Sequence, residues 1–389
     1  VPSDTICFPA KLAHGHVIDL IAQGVDRIFW PMMIRIPKKN PTAQGGEMCP
    51  VVQGYPMVVD KSDEPLSRYG IPLDHPTFHW YDRDLKHEQT IQYIKQTFSL
   101  PEFFIEMAIQ EAELAHSRFR NQLEWETEQI LHRYLNPAAD TDPDSFAVII
   151  TGRPYHADPL INHGLTSLLT SQGIPVLSAL FLPRLSEIDL HSVRMETYNP
   201  YHSRMLEAAL FAARHPNLEV VQIVSFGCGH DAIISDEMAR ILKETSGKEL
   251  LVLKLDEGEA RGPLNIRIKS FIETIRVKRR NRIEGYESLL TYKPLGLPFP
   301  VQYLKSDRPR RTILIPNLSP TFSYLTGRIL EHQGYSVKVL DIADRNAIEL
   351  GKRYVHNDIC FPAQVNIGEI LAELHRGHLH PHEVVAGLA

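Results

Sequence analysis

Apolar positions along this chain fall into two alternating kinds of block. Short continuous apolar runs read as buried parallel strands: FAVIITG (146–152), IPVLSAL (174–180), LEVVQIVSFGCG (218–229), KELLVLKLDE (248–257), RRTILIPNLSP (310–320) and YSVKVLDI (335–342). Between them lie stretches with apolar residues at helical spacing, such as INHGLTSLLTSQG (161–173), NPYHSRMLEAALFAARHP (199–216), SDEMARILKETSG (235–247), NIRIKSFIETIRVKRRNRIEGYESLL (265–290) and TFSYLTGRILEHQG (321–334). Strands alternating with helices predict doubly wound, Rossmann-like parallel sheets in an α/β fold.

The first third is less regular. A helix is expected from just after CFPA to about Gln23, with Gly24 as its C-terminal glycine. VDRIFWPMM (25–33) reads as a strand running into a turn, and KKNPTAQGGEMCPVVQGYP (38–56) as a Pro/Gly-punctuated loop. Residues 61–98 are polar with scattered aromatics. Residues 99–135 repeat apolar positions at helical spacing (Phe103, Phe104, Met107, Leu114, Phe119, Leu123, Ile130, Leu131) and predict one long amphipathic helix or a bent pair, capped by Ser99. NPAADTDPDS (136–145) reads as a linker. The expected organisation is therefore a first α/β unit (1–60), a mainly helical segment (61–145), a second α/β domain (146–300) and a third α/β unit (301–389).

One stretch occurs twice. Residues 4–24 (DTICFPAKLAHGHVIDLIAQG) and 357–377 (NDICFPAQVNIGEILAELHRG) share seven identities in 21 positions: Ile, Cys, Phe, Pro, Ala and two Gly. The second copy follows a strand–helix–strand pattern; the first follows only Val1–Ser3. The first unit is accordingly expected to lack its lead-in, as a piece excised from something larger.

Composition narrows the function classes. The 389 residues are 43% hydrophobic and 23% charged with a net charge of −6, so bulk attraction to nucleic acid or an anionic membrane is not expected. No secretory leader and no run of about 18 apolar residues is visible, which points to a cytoplasmic protein without a membrane span. Four cysteines are too few for a disulfide scaffold of this size.

Each cysteine sits in a turn. Cys7 and Cys360 precede Phe-Pro, Cys49 precedes Pro50, and Cys228 lies between Gly227 and Gly229 after an apolar strand. In open α/β sheets, loops beyond the carboxyl ends of strands face the ligand crevice. Thiolates converging there suit an iron–sulfur cluster or zinc; a redox thiol and small buried structural cysteines are the other readings. The second dense stretch, TGRPYHADPLINHG (151–164), offers Arg153 to an anion and His156 as a proton carrier, or else a polar loop locked by hydrogen bonds. The basic run Arg276–Arg282 reads as a solvated helix end. His14 and His16 point apart on a helix, and HLHPH (378–382) reads as solvated surface. No Walker A loop and no G-x-G-x-x-G fingerprint is present.

Five motifs in colinear order, DTICFPAKLAHGHVIDL, EMCPVVQGYP, GRPYHADPLINHG, VSFGCGHDAIISDE and YVHNDICFPAQVNIGEIL, resemble the 2-hydroxyacyl-CoA dehydratase and double-cubane-cluster reductase family. The nearest likeness is to its acyl-CoA dehydratase activase-related branch. The resemblance implies α/β domains around a [4Fe–4S] cluster or a double-cubane [8Fe–9S] cluster. It implies a partner as well, an ATP-hydrolysing activator domain or protein with its own iron–sulfur cluster, and it allows a homo- or heterodimer. Carried over, Cys7, Cys49 and Cys228 are ligand candidates, and Cys360 is a candidate for a second cubane. Arg153 and His156 would line the crevice of a lyase or reductase component. A non-catalytic module docking on an ATPase, with structural or zinc-binding cysteines, is the competing expectation.

Overall fold

Parallel pairing dominates the computed structural model, which describes residues 6–136, 144–225, 228–255, 258, 261–283, 292–296, 303–317, 319–357 and 359–387. Every strand ladder in it is parallel. The α/β fold with several parallel-sheet units read from the sequence is therefore the observed one. By internal contacts the chain divides into two compact units: Val1–Gly227 with Ile234–Pro298, and Phe299–Ala389 with Cys228–Ile233.

The larger unit opens with helix α1 (Phe8–Ala22), whose end is marked by Gly24 at φ +73°. Strands β1 (Ile28–Phe29) and β2 (Met32–Met33) then pair with β3 (Leu73–Asp74) and β4 (Thr77–Phe78) at one constant register, Ile28↔Leu73 through Met33↔Phe78. Ile28, Trp30 and Met32 donate in turn to the carbonyls of Pro72, Asp74 and Pro76. These pieces thus form one continuous two-stranded ribbon. Its break falls at Pro76, which has no N–H for the Trp30 carbonyl; Pro31 sits between donors, where no N–H is required.

Helix α2 (Pro50–Asp63) corrects the expected loop: the chain turns helical directly after Cys49 in spite of Gly54 and Pro56. Pro50 at the first helical position needs no donor and presets φ, so proline here starts a helix where the sequence pattern suggested only a break. A short helix α3 (Pro65–Tyr69) and helix α4 (Arg83–Phe98) follow, the latter capped by Asp82. Helix α5 (Glu102–Leu135) is a single helix of 34 residues. Ser99 does not cap it; that residue ends α4 in the left-handed region, φ 54°. The expected apolar stripe of α5 is also mostly uncovered, with Phe103 69% and Phe104 60% exposed. Only Ile105, Thr127 and Leu131 are buried on this helix.

The central sheet comprises β5 (Ala147–Thr151), β6 (Val176–Ser178), β7 (Leu218–Ser225) and β8 (Leu251–Leu255) in spatial order β6-β5-β7-β8. Alternate residues face opposite cores. Ala147, Ile149, Leu218 and Val220 pack with α7 (Pro200–Arg214), α8 (Gly229–Ser246) and the end of α5. Val148, Val221, Ile223 and Leu253 pack with α6 (Leu165–Ser171) and α9 (Arg261–Ile283). Helices on both faces make this sheet doubly wound. Helix α8 starts six residues before Ser235, and α6 starts after Gly164. At the amino end of β7, the buried Lys248 ammonium donates to the carbonyls of Ala212 (2.9 Å), His215 (2.7 Å) and Leu218. Arg279, from the basic run, is buried and donates to the Pro216 and Ser145 carbonyls.

The smaller unit repeats the scheme with β9 (Thr312–Ile315), α10 (Pro320–His332), β10 (Ser336–Val339), α11 (Arg345–Tyr354), α12 (Phe361–His375) and β11 (Val384–Ala386). Its order is β10-β9-β11. Glycines let α11 and α12 touch backbone to backbone: a Cβ on Gly368 would stand 1.9 Å from the Ala347 carbonyl oxygen, and one on Gly351 2.1 Å from that of Gln364. Most of the expected linker (137–143) and the continuation of α9 beyond residue 283 lie outside the described residues. Among the described residues no helix is long and apolar enough to cross a membrane.

Candidate functional site

In an open parallel sheet, ligands bind where successive connections leave in opposite directions. In the central sheet that point lies between β5 and β7: β5 connects on to β6 at one side, and β7 to β8 at the other. The loop after β5 carries Arg153 and His156, and β7 ends on Ser225.

Hydrogen bonds fix the protonation pattern. The Arg153 backbone N–H donates to His156 Nδ1 (2.9 Å), so Nδ1 is an acceptor and the proton of the neutral ring is on Nε2. That Nε2–H donates to Ser225 Oγ (2.9 Å), which also meets the Tyr155 hydroxyl (3.2 Å). His156 is buried and uses both ring nitrogens inside this network. Asn162 closes the loop, donating to the His156 carbonyl (3.0 Å) and accepting from Gly164 and Leu165. Gly152 is required: a Cβ there would stand 2.4 Å from His156 Nδ1 and 2.9 Å from the Ile223 carbonyl oxygen.

The buried Arg153 guanidinium reaches the start of α7. Nη2 donates to His202 Nε2 (2.6 Å), so that imidazole is neutral, and Nη1 approaches Asn199 Oδ1 at 3.5 Å. Asn199 is the cap of α7 and accepts from Tyr201 N–H (3.0 Å).

Three cysteines turn out to be helix caps of nearly one geometry. Cys7 caps α1 at φ/ψ −60°/150°, Cys49 caps α2 at −65°/152°, and Cys360 caps α12 at −57°/145°. Each is followed by proline in the first turn, and none of the side chains closes its cap by a hydrogen bond. Cys228 directly precedes α8. No disulfide joins the four.

Cys7 lies within electrostatic reach of Cys49 and Arg153. Burial pushes the Cys7 thiol up, the Ala10 amide lowers it, the neighbouring Cys49 raises it further, and the positive charge of Arg153 pulls it down. Two ties set this arrangement. Between α1 and α2, His14 Nδ1–H donates to Asp63 (2.7 Å) while its Nε2 accepts from the Tyr55 hydroxyl (3.0 Å). The segment before Cys49 is anchored to the central domain: Glu47 N–H donates to the Tyr198 carbonyl (3.0 Å), and Asn40 Nδ2 to the Ile188 carbonyl (2.8 Å) and Glu207 (2.9 Å).

Cys7 thus feels the charges of Cys49 and Arg153, and His156 braces the Arg153 loop. Cys360 caps α12 in the smaller unit and is exposed. Among the described residues, no three His, Cys, Asp or Glu side chains form a group able to hold a metal ion. In the larger unit Cys7 and Cys49 act on each other electrostatically, two donors where a metal–sulfur group takes three or four. Asn199, His202 and Ser225 escaped the sequence reading; the signals were an Asn-Pro at a helix start and the last residue of an apolar strand.

Residues 1–182 match the family model of the CoA enzyme activase uncharacterised domain. That match supports the activase-related resemblance at a coarse level. No curated protein matches the chain, and no solved structure does.

Proposed function

We propose that the chain is the iron–sulfur cluster-binding, electron-accepting component of an ATP-driven low-potential reductase or 2-hydroxyacyl-CoA dehydratase-like system. The observation that carries this reading is that two cysteines, Cys7 and Cys49, cap helices in one geometry with proline in the first turn, and that the Cys7 thiol feels the charges of Cys49 and Arg153. The family match over residues 1–182 supports an activase-like role in acyl-CoA dehydratase systems. Cys7, Cys49 and Cys228 would hold a [4Fe–4S] cluster, with Cys360 serving a second cubane of a double cluster. Such a group supplies a one-electron acceptor of low potential.

The chain's own residues tune that site. Helix starts turn backbone N–H groups toward a capping sulfur, and partial burial of Cys7 excludes water from it. Arg153 supplies fixed positive charge beside the thiols and holds an anionic group. His156, bonded on both nitrogens, sets the position of the Arg153 backbone, and moving a proton through it requires breaking one of those bonds. The partner is an ATP-hydrolysing activator with its own cluster. Anaerobic purification with iron and sulfide analysis tests the reading. Iron and sulfide in near-equal amounts, lost in Cys7→Ala and Cys49→Ala, are expected. Near-zero iron after anaerobic reconstitution, unchanged by those substitutions, would sink it.

One observation favours a second reading. With no three-ligand group among the described residues, structural cysteines suit a regulatory module that docks on an ATPase, and zinc-binding ones would have to complete their ligand set from outside those residues. Zinc in native metal analysis, and an ATPase complex that survives cysteine replacement, would select it.

A further inference from the structure

Helix α5 carries apolar residues on two opposite sides. Ile105, Thr127 and Leu131 are its buried residues. The column Phe104, Glu111, Arg118 and Trp125, spaced by seven, lies about 170° around the helix from them. All four are exposed, Trp125 by 63%. Met107 and Leu114 flank the column on one side, and Ala108 and Ala115 on the other; these too are exposed. The strip is therefore aromatic at both ends, apolar along its edges, and carries one acid and one base in the middle.

The charges beside the strip are taken. Glu106 bonds His87 (3.0 Å), Glu113 pairs with Arg83 (3.2 Å) and Arg120 with Glu124 (2.6 Å). Glu111 and Arg118 form no ion pair among the described residues. They cannot serve each other: two turns and about 10.5 Å along the axis separate them, beyond the i,i+3 and i,i+4 spacings at which helix charges pair. A second, reversed copy of the same strip supplies both missing partners at once.

We propose that this face joins two copies of the chain through an antiparallel pair of α5 helices, with the two-fold axis between Leu114 and Ala115. In that register Glu111 meets Arg118 of the partner subunit, the reverse contact forms by symmetry, and Phe104 packs on Trp125 of the partner subunit at each end. Charge selects the arrangement. A parallel pair sets Glu111 on Glu111 and Arg118 on Arg118. Antiparallel pairs slipped by one heptad set Glu111 on Glu111 in one direction and Arg118 on Arg118 in the other. Of these, the central register alone joins opposite charges. Ala108 and Ala115 leave room for the two long side chains to bend past the seam. Residues 104 to 125 span about 32 Å. One helix pair of that length is a small interface, so dissociation in the micromolar range is expected. The pairing does not depend on a cluster being bound.

Sedimentation equilibrium of the full chain tests this, with the protein metal-free and reduced so that no thiol joins the copies. A monomer–dimer equilibrium weakened by salt is expected. Arg118→Glu and Glu111→Arg each set like charges together at two places in the dimer and should weaken it by about a hundredfold. The helicity and unfolding midpoint of the monomer should stay put in both. The double exchange, Glu111→Arg with Arg118→Glu, recreates both pairs and should restore the dimer. Loss in each single variant with recovery in the double is a pattern that the parallel and slipped pairs do not give. A chain that stays monomeric at every concentration, its strip then left to a different partner, overturns the proposal. A dimer that the single reversals leave intact, or that the double exchange fails to restore, overturns it as well.

Discussion

Helices α1 and α12 start with the same Ile-Cys-Phe-Pro-Ala and the same cap geometry, yet they bury different faces. Helix α1 buries Phe8, Ala10, His14 and Val17. The equivalent positions of α12 are Phe361, Ala363, Ile367 and Ile370, none of them fully buried. In turn α12 buries Gln364, Val365, Gly368, Glu369, Ala372 and Glu373, whose counterparts Lys11, Leu12, Gly15, His16, Asp19 and Leu20 are all at least partly exposed. The apolar character of Val17 and Ile370 is the same, so residue type alone does not choose the covered face. The shared residues specify a backbone device: a thiol at the cap, proline in the first turn, a helix directed away from it. Which side of that helix is covered depends on what packs against it. For α1 it is α2, through Tyr55 and Val59; for α12 it is α11.

The shared glycine gives the largest handle on this contrast. Gly368→Ala drives a methyl into the α11 backbone and should cost about 3 kcal/mol, with Gly351→Ala similar. Chemical denaturation of the chain, with hydrogen exchange in α11 and α12 to localise the loss, measures it. Next comes His14, whose counterpart is Ile367. His14→Ile strips partners from Asp63 and the Tyr55 hydroxyl and should cost about 2 kcal/mol, loosening α1 from α2 and with them the Cys7–Cys49 pair. If the two faces were interchangeable, this substitution would be harmless.

A smaller effect concerns charge. Glu369, the counterpart of exposed His16, is raised above the usual carboxyl range by burial, although the amides of Asn317 and Ala343 pull it down. A carboxyl raised on folding binds its proton more tightly in the folded state. Its stabilising contribution is complete below the ordinary glutamate pKa and is lost as pH rises through the higher, folded value. The α12 region should therefore lose protection over that window, and Glu369→Gln should remove the slope while substitutions at His16 leave it unchanged. Last, Gly15→Ala meets nothing within 4 Å and should stabilise α1 by about 0.5–1 kcal/mol through helix propensity alone. A destabilisation there would mean that the open face of α1 is covered in solution.

How much of this was legible in the sequence follows the range of the forces involved. Apolar runs gave β5, β7 and β8 because a strand buried on both faces needs no partner to be recognised. The glycine after α1 is equally local. Helix α2 was hidden, since Pro50 and Pro56 punctuate it as they would a loop, and what holds it is its packing on α1. The stripe on α5 misled in the opposite sense: its period is helical, but Phe103 and Phe104 find no core among the described residues. At the candidate site, the cysteine turns and Arg153 stood out as residue types. The neutral tautomer of His156 did not, because it depends on a backbone amide and on Ser225, which is 69 residues away in sequence.

The two-stranded ribbon of β1–β4 carries a further consequence in Pro31. A parallel ribbon two strands wide offers a free margin to any extended peptide that drifts past. On the strand containing Ile28 to Met33, the donors at 28, 30 and 32 point inward, so the outward ones would come from residues 29, 31 and 33. Pro31 deletes the middle member of that outward set. A foreign strand seeking to add itself would meet a gap at the centre of its ladder, so the proline also guards this margin against self-association.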